Sequence, residues 1–192
     1  MPVVGDRTRT YDPDPAHSEQ VVVLALDLFD GLRVLHGYGP EERRLLEIAG
    51  RLHDIGWSQV QTGGGKHHKL SGELIQKLSI PGLAKKDRVS CALIARYHTK
   101  AMPDAARHKL FASLNTSRRE VVEWLAGMLR VADGLDCGHR GSIRGLTCAV
   151  TPGVVSIRLR AANGDCRTAV ARALRKQDLL QKKMKREVEY LC

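Results

Sequence analysis

The dipeptide His53-Asp54 places two residue types that bind metal ions side by side. His53 follows Ala49 by four residues, so a helix that buries Ala49 also directs the imidazole toward the protein interior. Asp54 lies near the predicted end of the same helix, where the helix dipole disfavours a carboxylate. Because a bound cation would compensate that charge, we expect the pair to belong to a metal site.

Two further residues offer ligands from other helices. His17 precedes Val21 by four residues in the first turn of the first predicted helix, and Asp133 follows Leu129 by four near the end of the fifth. A buried carboxylate without a partner is costly. Together with the dipeptide, they make two imidazoles and two carboxylates, a set that suits Mn, Fe, Mg, Co or Zn.

Two more histidines extend this set. His68 opens the third predicted helix, and His98 follows Ile94 by four residues at the end of the fourth. A single inward histidine is more often a core residue, so the prediction rests on the whole set. Six ligands are enough for two metal ions bridged by Asp54, an arrangement that binds the attacking and the leaving oxygen of a displacement at phosphorus. We predict one or two metal ions on six residues, with Asp54 and His53 as catalytic residues: His17, His53, Asp54, His68, His98 and Asp133.

Phosphate oxygens would also need cations to neutralise them. Basic residues next to the ligand motifs provide four candidate substrate contacts, although a residue of this kind is more often a solvated surface charge than a substrate ligand: Lys66, Lys69, Lys100 and Arg140.

Charge and composition narrow the choice of partner. The 192 residues carry a formal net charge of +10, which favours an anionic partner such as a phosphorylated small molecule, polyphosphate or nucleic acid. Aromatic residues make up 4%, which disfavours a base-stacking platform for single strands. Much of the positive charge lies in the last predicted helix, away from the predicted ligands, and the ligands themselves indicate phosphate chemistry, so nucleic acid is the less favoured partner. The longest strongly apolar run, Val21–Leu26, is too short to span a membrane, so we expect no membrane partner.

Cysteine usage and the N-terminal sequence bear on location. The five cysteines form no CxxC pair, and their odd number disfavours a disulfide framework. Residues 1–10 contain no apolar segment of a signal peptide. We therefore expect a cytoplasmic protein with reduced thiols; a homodimer stays open.

Hydrophobic periodicity predicts five helices that position the ligands. Asp14-Pro15 is a helix start, with aspartate as N-cap and proline at the first position. The stretch Gln61–Lys66, which holds three successive glycines, and residues 99–115 are predicted as loops. The predicted helices are Pro15–Leu35, Pro40–Asp54, His67–Leu78 (ended by Pro81-Gly82), Lys85–His98 and Ser117–Leu135.

The pattern changes after the fifth helix. Leu146–Val150 and Val154–Leu159 alternate and are rich in β-branched residues, which predicts a β-hairpin, and a basic helix follows over Thr168–Lys185. The predicted fold is mainly α, a helical bundle with a small C-terminal α+β element made of the hairpin and this helix. We divide the chain into an N-terminal arm (1–13), a helical domain (14–140) and an extension of the same domain (141–192).

The ordered motifs resemble those of the HD-domain metal-dependent phosphohydrolase superfamily, whose signature is H…HD…D. His17, LHDIGW (Leu52–Trp57) and LRVADGLD (Leu129–Asp136) carry the likeness. His68, with Gly72 and Ile75 after it, is similar to the extra histidine of two-metal members, and His98 in RYHTKAMP to a further one. The resemblance implies an HD-type helical bundle and metal-dependent hydrolysis of phosphate compounds.

Nearly the whole chain, from about Arg9 to Leu191, resembles the C-terminal HD domain of exopolyphosphatase/guanosine pentaphosphate phosphohydrolases, the Ppx/GppA family. Four stretches carry this likeness: HSEQVVVLALDLFD, GGKHHKLSGELI, ADGLDCGHRG and RKQDLLQKKM. Relatives hold their polyphosphatase site in two N-terminal actin-like domains, which this sequence lacks, so that activity does not transfer and we expect a stand-alone domain. Leu70 replaces an expected histidine, and Cys137 a common basic residue.

The leading hypothesis is a metal-dependent phosphohydrolase that cleaves a phosphate ester or phosphoanhydride of a nucleotide, an alarmone or polyphosphate. The alternative is a non-catalytic regulatory module that binds a polyanion such as polyphosphate or RNA. Eight Lys or Arg against one acid between Arg167 and Arg186 support that alternative, although a solvated helix face explains them equally well.

Overall fold

The computed structural model of the chain describes residues 12–80 and 83–192, and of residues 61–63 it describes the backbone alone. The fold is mainly helical with a small sheet near the C-terminus, as predicted. The helices are α1 (Pro15–Gly31), α2 (Arg33–His36), α3 (Pro40–Leu52), α4 (Trp57–Gly63), α5 (His67–Lys77), α6 (Lys85–Arg96), α7 (Lys109–Ala112), α8 (Thr116–Leu135), α9 (Arg167–Leu174) and α10 (Asp178–Met184).

The strands are β1 (Ile143–Val150), β2 (Val154–Ala161) and β3 (Glu187–Leu191), in the order β1-β2-β3. The β1–β2 pair is antiparallel and forms the predicted hairpin, whereas β3 runs parallel to β2. Within the described ranges, no helix combines the length and the apolar character needed to cross a membrane.

The first helix begins as its cap predicts. A carboxylate oxygen of Asp14 accepts a hydrogen bond from the backbone N–H of His17 (3.1 Å), and Pro15 occupies the first helical position. This cap fixes the turn that carries His17. The single helix predicted to Leu35 is two helices, since α1 ends at Gly31 and α2 covers Arg33–His36. Gly37, whose φ of 67° is left-handed, caps the second of them.

The long helix α8 lies at the centre of the molecule and packs against α1, α6, α9 and α10. Glycines allow two of the closest approaches between helices. A Cβ at Gly50 of α3 would lie 2.8 Å from a methyl group of Val22 in α1, and one at Gly127 of α8 would lie 3.0 Å from the backbone of Leu180 in α10. Close packing therefore fixes the helix ends that carry the predicted ligands.

Two predicted loops contain helices. Part of Gln61–Lys66 belongs to α4, which continues to Gly63, and residues 99–115 include the short helix α7. The glycines that indicate a loop instead end the helix, since Gly64 has a left-handed φ of 71°. The predicted stop at Pro81-Gly82 and residues 1–11 of the predicted arm lie outside the described residues.

The predicted C-terminal basic helix, Thr168–Lys185, is wrong as a single element. The chain forms α9 and α10 with a break at residues 175–177, and β3 follows, which the sequence pattern did not indicate. Tertiary contacts explain the break, because the Arg130 guanidinium of α8 donates hydrogen bonds to the carbonyl of Lys176 (3.3 Å) and to Asp178 (3.1 Å). The division between 14–140 and 141–192 stays a prediction, although Ile143 and Leu146 of β1 belong to the same hydrophobic core as the helices.

A disulfide joins Cys166, at the start of α9, to Cys192, with 6.1 Å between their Cα atoms. The expectation that all thiols are reduced is therefore wrong for these two residues. The chain returns through β3, and this return brings together two cysteines that are 26 residues apart, a pairing that spacing alone does not reveal. Cys91, Cys137 and Cys148 are free.

Candidate metal centre

Helix ends from four parts of the chain converge on one buried cluster. His17 comes from the first turn of α1, His53 and Asp54 from the turn after α3, His98 from the turn after α6, and Asp133 from the last turn of α8. None of these five residues is more than 9% exposed. The structure thus brings together five of the six predicted ligands, which we call the His/Asp cluster.

The cluster contains two groups of potential ligand atoms. In one group, atoms of His17, His53 and Asp133 lie within 4.8 Å of one another, and the other joins His53, Asp54 and His98 at the same spacing. His53 belongs to both groups. Two overlapping triads of nitrogen and oxygen donors form a site that can hold one divalent ion or a close pair.

Each imidazole of the cluster is oriented through its Nδ1 atom. His53 Nδ1 lies 2.7 Å from the carbonyl oxygen of Gly50, and His98 Nδ1 lies 2.6 Å from that of Ala95. A carbonyl oxygen accepts hydrogen bonds and cannot donate them, so both Nδ1 atoms carry the proton. In a neutral ring, Nε2 therefore presents its lone pair, which is the form that binds a metal ion.

A carboxylate orients the third imidazole. His17 Nδ1 donates to Oδ2 of Asp136 at 2.8 Å, and the other oxygen of Asp136 accepts from the backbone N–H of Gly141 at 2.9 Å. His17 Nε2 faces Oδ1 of Asp133 at 3.5 Å. A carboxylate behind a histidine is the usual support of a ligating imidazole.

Three polar atoms of the cluster are buried and lack a hydrogen-bond partner: His17 Nε2, His53 Nε2 and Asp54 Oδ1. Buried polar groups are normally paired, and leaving them unpaired costs free energy. Divalent cations held in the two triads would satisfy these atoms, since each of the three residues belongs to a triad. The residues present therefore fit a metal ion of the borderline class on nitrogen and oxygen ligands.

The pKa values of the residues in the cluster shift in different directions. Burial, reinforced by repulsion from His53, lowers the pKa of His98 to about 3, so this imidazole is neutral at ordinary pH. Burial alone would also lower the pKa of His17, but the carboxylates of Asp133 and Asp136 outweigh it and raise that pKa to about 10. Burial opposes ionisation of Asp54, yet its histidine neighbours hold its pKa below the ordinary value.

His67, the residue before the predicted ligand His68, lies beside Asp54. His67 Nε2 is 3.5 Å from Asp54 Oδ1 and 3.2 Å from His98 Nε2. His68 is buried, and its Nδ1 has no hydrogen-bond partner; among the described residues it belongs to neither ligand triad. Burial lowers the pKa of His68 to about 4. The dipeptide His67-His68 is the sequence signal that a histidine lies at this position. Helical spacing at the first turn of α5 does not show which of the two rings faces Asp54.

A cleft of about 420 Å³ leads from the surface to Asp54 and Asp133. The four predicted substrate contacts, Lys66, Lys69, Lys100 and Arg140, are exposed, and none is among the residues that line this cleft. The lining cation is Lys176, whose ammonium forms an ion pair with Oδ2 of Asp133.

Lys176 was not predicted because it lies on the break between α9 and α10, a break that the sequence pattern did not reveal. Arg130 fixes that break through the carbonyl of Lys176 and through Asp178. Arg130 is 3% exposed and also donates to the carbonyl of Tyr97 (3.2 Å). It is a positioning residue, since it holds the backbone that carries the cleft lysine.

His139 is a second cleft residue that the sequence did not identify. Its ring stacks on that of His17 at 3.8 Å between centroids, and its Nδ1 lies 2.8 Å from Oδ2 of Asp14. The backbone of His139 has a positive φ of 52°. This turn covers the ring of His17 from the side of the cleft.

The C-terminal basic residues do not form one stripe. Lys183 makes ion pairs with Glu120 (2.6 Å) and Glu123 (2.9 Å) of α8, and Arg186 donates to the backbone carbonyl of Thr151 (2.9 Å). Lys182 is exposed. Part of the basic charge that the sequence shows is therefore compensated within the fold.

No curated protein matches the chain. The family model described as Ppx/GppA phosphatase, domain III, matches residues 3–187, which is nearly the whole sequence. The chain therefore belongs to the Ppx/GppA phosphatase domain III family.

Proposed function

We propose that this protein is a metal-dependent phosphohydrolase of the HD type, acting on a phosphate ester or phosphoanhydride. The observation that carries the proposal is the convergence of Nε2 atoms and carboxylate oxygens on one buried cluster, with each imidazole held through its opposite nitrogen. His53 and His98 each donate from Nδ1 to a backbone carbonyl, and His17 donates to Asp136. A core that only packed histidines would not need three Nε2 atoms and two carboxylates to face one another.

The proposed ligands are the five residues of the His/Asp cluster, with His67 beside them: His17, His53, Asp54, His98 and Asp133. When bound, a divalent ion lowers the pKa of a water molecule to near neutrality and polarises a phosphoryl oxygen. Asp54 would offer a ligand through either oxygen, because one lies 3.5 Å from His67 Nε2 and 3.6 Å from His98 Nε2, while the other lies 3.6 Å from His53 Nε2.

The chain also supplies charge for the phosphate. Lys176 lines the cleft and reaches Asp133, so its ammonium lies beside the proposed ligands. A positive group fixed at that position stabilises the negative charge that develops on phosphoryl oxygens. Its backbone is held by Arg130 of α8, which keeps the lysine in place before substrate binds.

The proposal is tested by hydrolysis assays on purified protein with Mn²⁺, using nucleoside phosphates, a guanosine tetraphosphate-type alarmone, a cyclic dinucleotide and short polyphosphate. We expect turnover of at least one of these compounds and its loss in Asp54→Asn. Asp30→Asn is the matched control, because Asp30 is an exposed carboxylate paired with Arg43 outside the cleft. Equal rates in Asp54→Asn and the control would overturn the proposal.

The non-catalytic alternative keeps one supporting observation. Lys182 and Lys185 are exposed at the end of α10, near Arg186. A module of this kind would bind polyphosphate with a steep dependence on salt, which neutralisation of these residues would abolish. Phosphatase activity retained in the same variant would favour the enzyme.

A further inference from the structure

Of the large apolar side chains that are exposed in the described ranges, one is aromatic. Trp57 is 39% exposed, although indole rings are usually well buried. It lines the same cleft as Asp54, Asp133 and Lys176. An exposed tryptophan at a cleft that leads to charged residues needs an explanation beyond packing.

Trp57 is held against the site by its neighbours. Its ring stacks on that of His67 with 4.4 Å between centroids and 9° between planes. His67 in turn lies 3.5 Å from Asp54. The stacked pair thus extends from the carboxylate of the His/Asp cluster to the mouth of the cleft.

The backbone fixes this stack. The N–H of Gly56 donates to Oγ of Ser71 at 2.9 Å, and a Cβ at Gly56 would overlap the carbonyl oxygen of His67. The start of α4 therefore presses directly on the start of α5. This contact places Trp57, the residue after the glycine, over the ring of His67.

We propose that the exposed part of Trp57 is the binding site for a nucleobase, so that the substrate class is a free mononucleotide whose phosphate points to Lys176 and the His/Asp cluster. This inference rests on the proposed function for the position of the phosphate. Bases stack on aromatic side chains whatever their sequence. A cleft of about 420 Å³ lies in the range of small-molecule sites, which favours a single nucleotide over a nucleic-acid strand.

Paired probes separate the base from the phosphate. AMP and ribose 5-phosphate share the sugar and the phosphate, and AMP alone carries a base. In a Trp124→Phe variant, Trp57 is the one remaining tryptophan of the chain and reports stacking through quenching of its fluorescence. We expect AMP to quench this fluorescence and to bind about tenfold or more tightly than ribose 5-phosphate.

Substitution of the ring completes the test. Trp57→Ala should weaken AMP about tenfold and leave ribose 5-phosphate unchanged, whereas Trp57→Phe should keep most of the preference. If Trp124→Phe lowers the stability of the protein, binding calorimetry measures the same affinities for the Trp57 variants with Trp124 kept. A 5′-phosphorylated oligonucleotide that binds more tightly than AMP would overturn the assignment of a free mononucleotide.

Two other outcomes overturn the inference. One is equal affinity of the protein for AMP and ribose 5-phosphate, including the absence of binding by both. The other is an equal loss of affinity for both compounds in Trp57→Ala, which would show that Trp57 only supports His67. The measurements are made with and without Mn²⁺, and bound metal is measured alongside. Base-dependent quenching in protein that binds no metal would contradict the proposed function and leave the nucleobase site standing. Protein that binds metal but does not prefer AMP to ribose 5-phosphate would contradict the nucleobase site and leave the proposed function standing.

Discussion

Asp136 Oδ2 accepts a hydrogen bond from Nδ1 of His17 at 2.8 Å, and this contact turns the opposite nitrogen of the ring toward Asp133. Both side chains are almost fully buried. Asp136 is itself held by the backbone N–H of Gly141. The pair connects the first turn of α1 to the residue that follows α8, so that the orientation of one proposed ligand depends on two distant parts of the chain.

Replacing Asp136 by Asn tests the role of this support. The amide keeps the size of the side chain but removes the charge that fixes the protonated nitrogen of His17. We expect metal affinity to fall about 10- to 100-fold, as is usual for partners behind metal ligands. Titration with Mn²⁺ measures the effect, and thermal unfolding shows whether the fold is retained. Unchanged affinity would show that Asp136 has a purely structural role.

Lys176→Met tests the proposed phosphate contact. Loss of a hydrogen-bonding charge should raise KM for the substrate about tenfold or more. Metal binding should be retained, because the ammonium competes with a cation for Oδ2 of Asp133. Lys182→Met, at an exposed lysine of α10, is the control. A loss of bound metal in Lys176→Met would instead make Lys176 part of the support of the cluster.

Gly56→Ala tests the contact between α4 and α5. A Cβ at this position would lie 2.5 Å from the backbone nitrogen of Ser71 and would overlap the carbonyl oxygen of His67. We expect a destabilisation of about 1–3 kcal/mol and a change in the fluorescence of Trp57. Gly153→Ala is the control, since its Cβ meets no atom within 4 Å. Equal unfolding midpoints for the two variants would contradict the close approach.

Lys183→Met tests whether the C-terminal charge is structural. Burial alone would lower the pKa of Lys183, but Glu120 and Glu123 outweigh it and hold that pKa above its ordinary value. The contribution to stability is therefore complete below the pKa of the unfolded chain, near 10.4, and is lost as pH rises through the folded value. We expect the variant to be less stable at neutral pH and to lose less stability at alkaline pH.

Denaturant unfolding at several pH values measures this difference. Polyphosphate binding at two salt concentrations is the companion measurement. If Lys183→Met is as stable as the wild type at neutral pH and binds polyphosphate more weakly, Lys183 contacts a polyanion and does not stabilise the fold.

Much of the fold follows from local sequence. Asp14-Pro15 fixes the start of α1, and the apolar periods predict α3, α5, α6 and α8 to within a few residues. The alternating pattern gives the hairpin. The second half of the C-terminal region does not follow, because the break between α9 and α10 depends on Arg130 of a distant helix.

The candidate site was predictable where a ligand lies on a regular helix. His17 precedes Val21 and Asp133 follows Leu129, each by four residues, and the structure brings both to one cluster. The sequence could not choose between His67 and His68, because the first turn of α5 sets the direction of each ring. Nor could it identify Lys176, whose position depends on a tertiary contact. Hydrophobic periodicity identifies the buried face of a helix, but it does not identify the residues of other elements that pack against that face.

Metal analysis of the purified protein tests the central claim most directly. After incubation with Mn²⁺, Fe²⁺, Mg²⁺, Co²⁺ or Zn²⁺ and removal of excess, we expect one or two ions per chain for at least one of these metals. Asp54→Asn should bind less, while Asp30→Asn should match the wild type. Wild-type protein that folds and yet retains none of these ions would contradict the assignment of the His/Asp cluster as a metal centre.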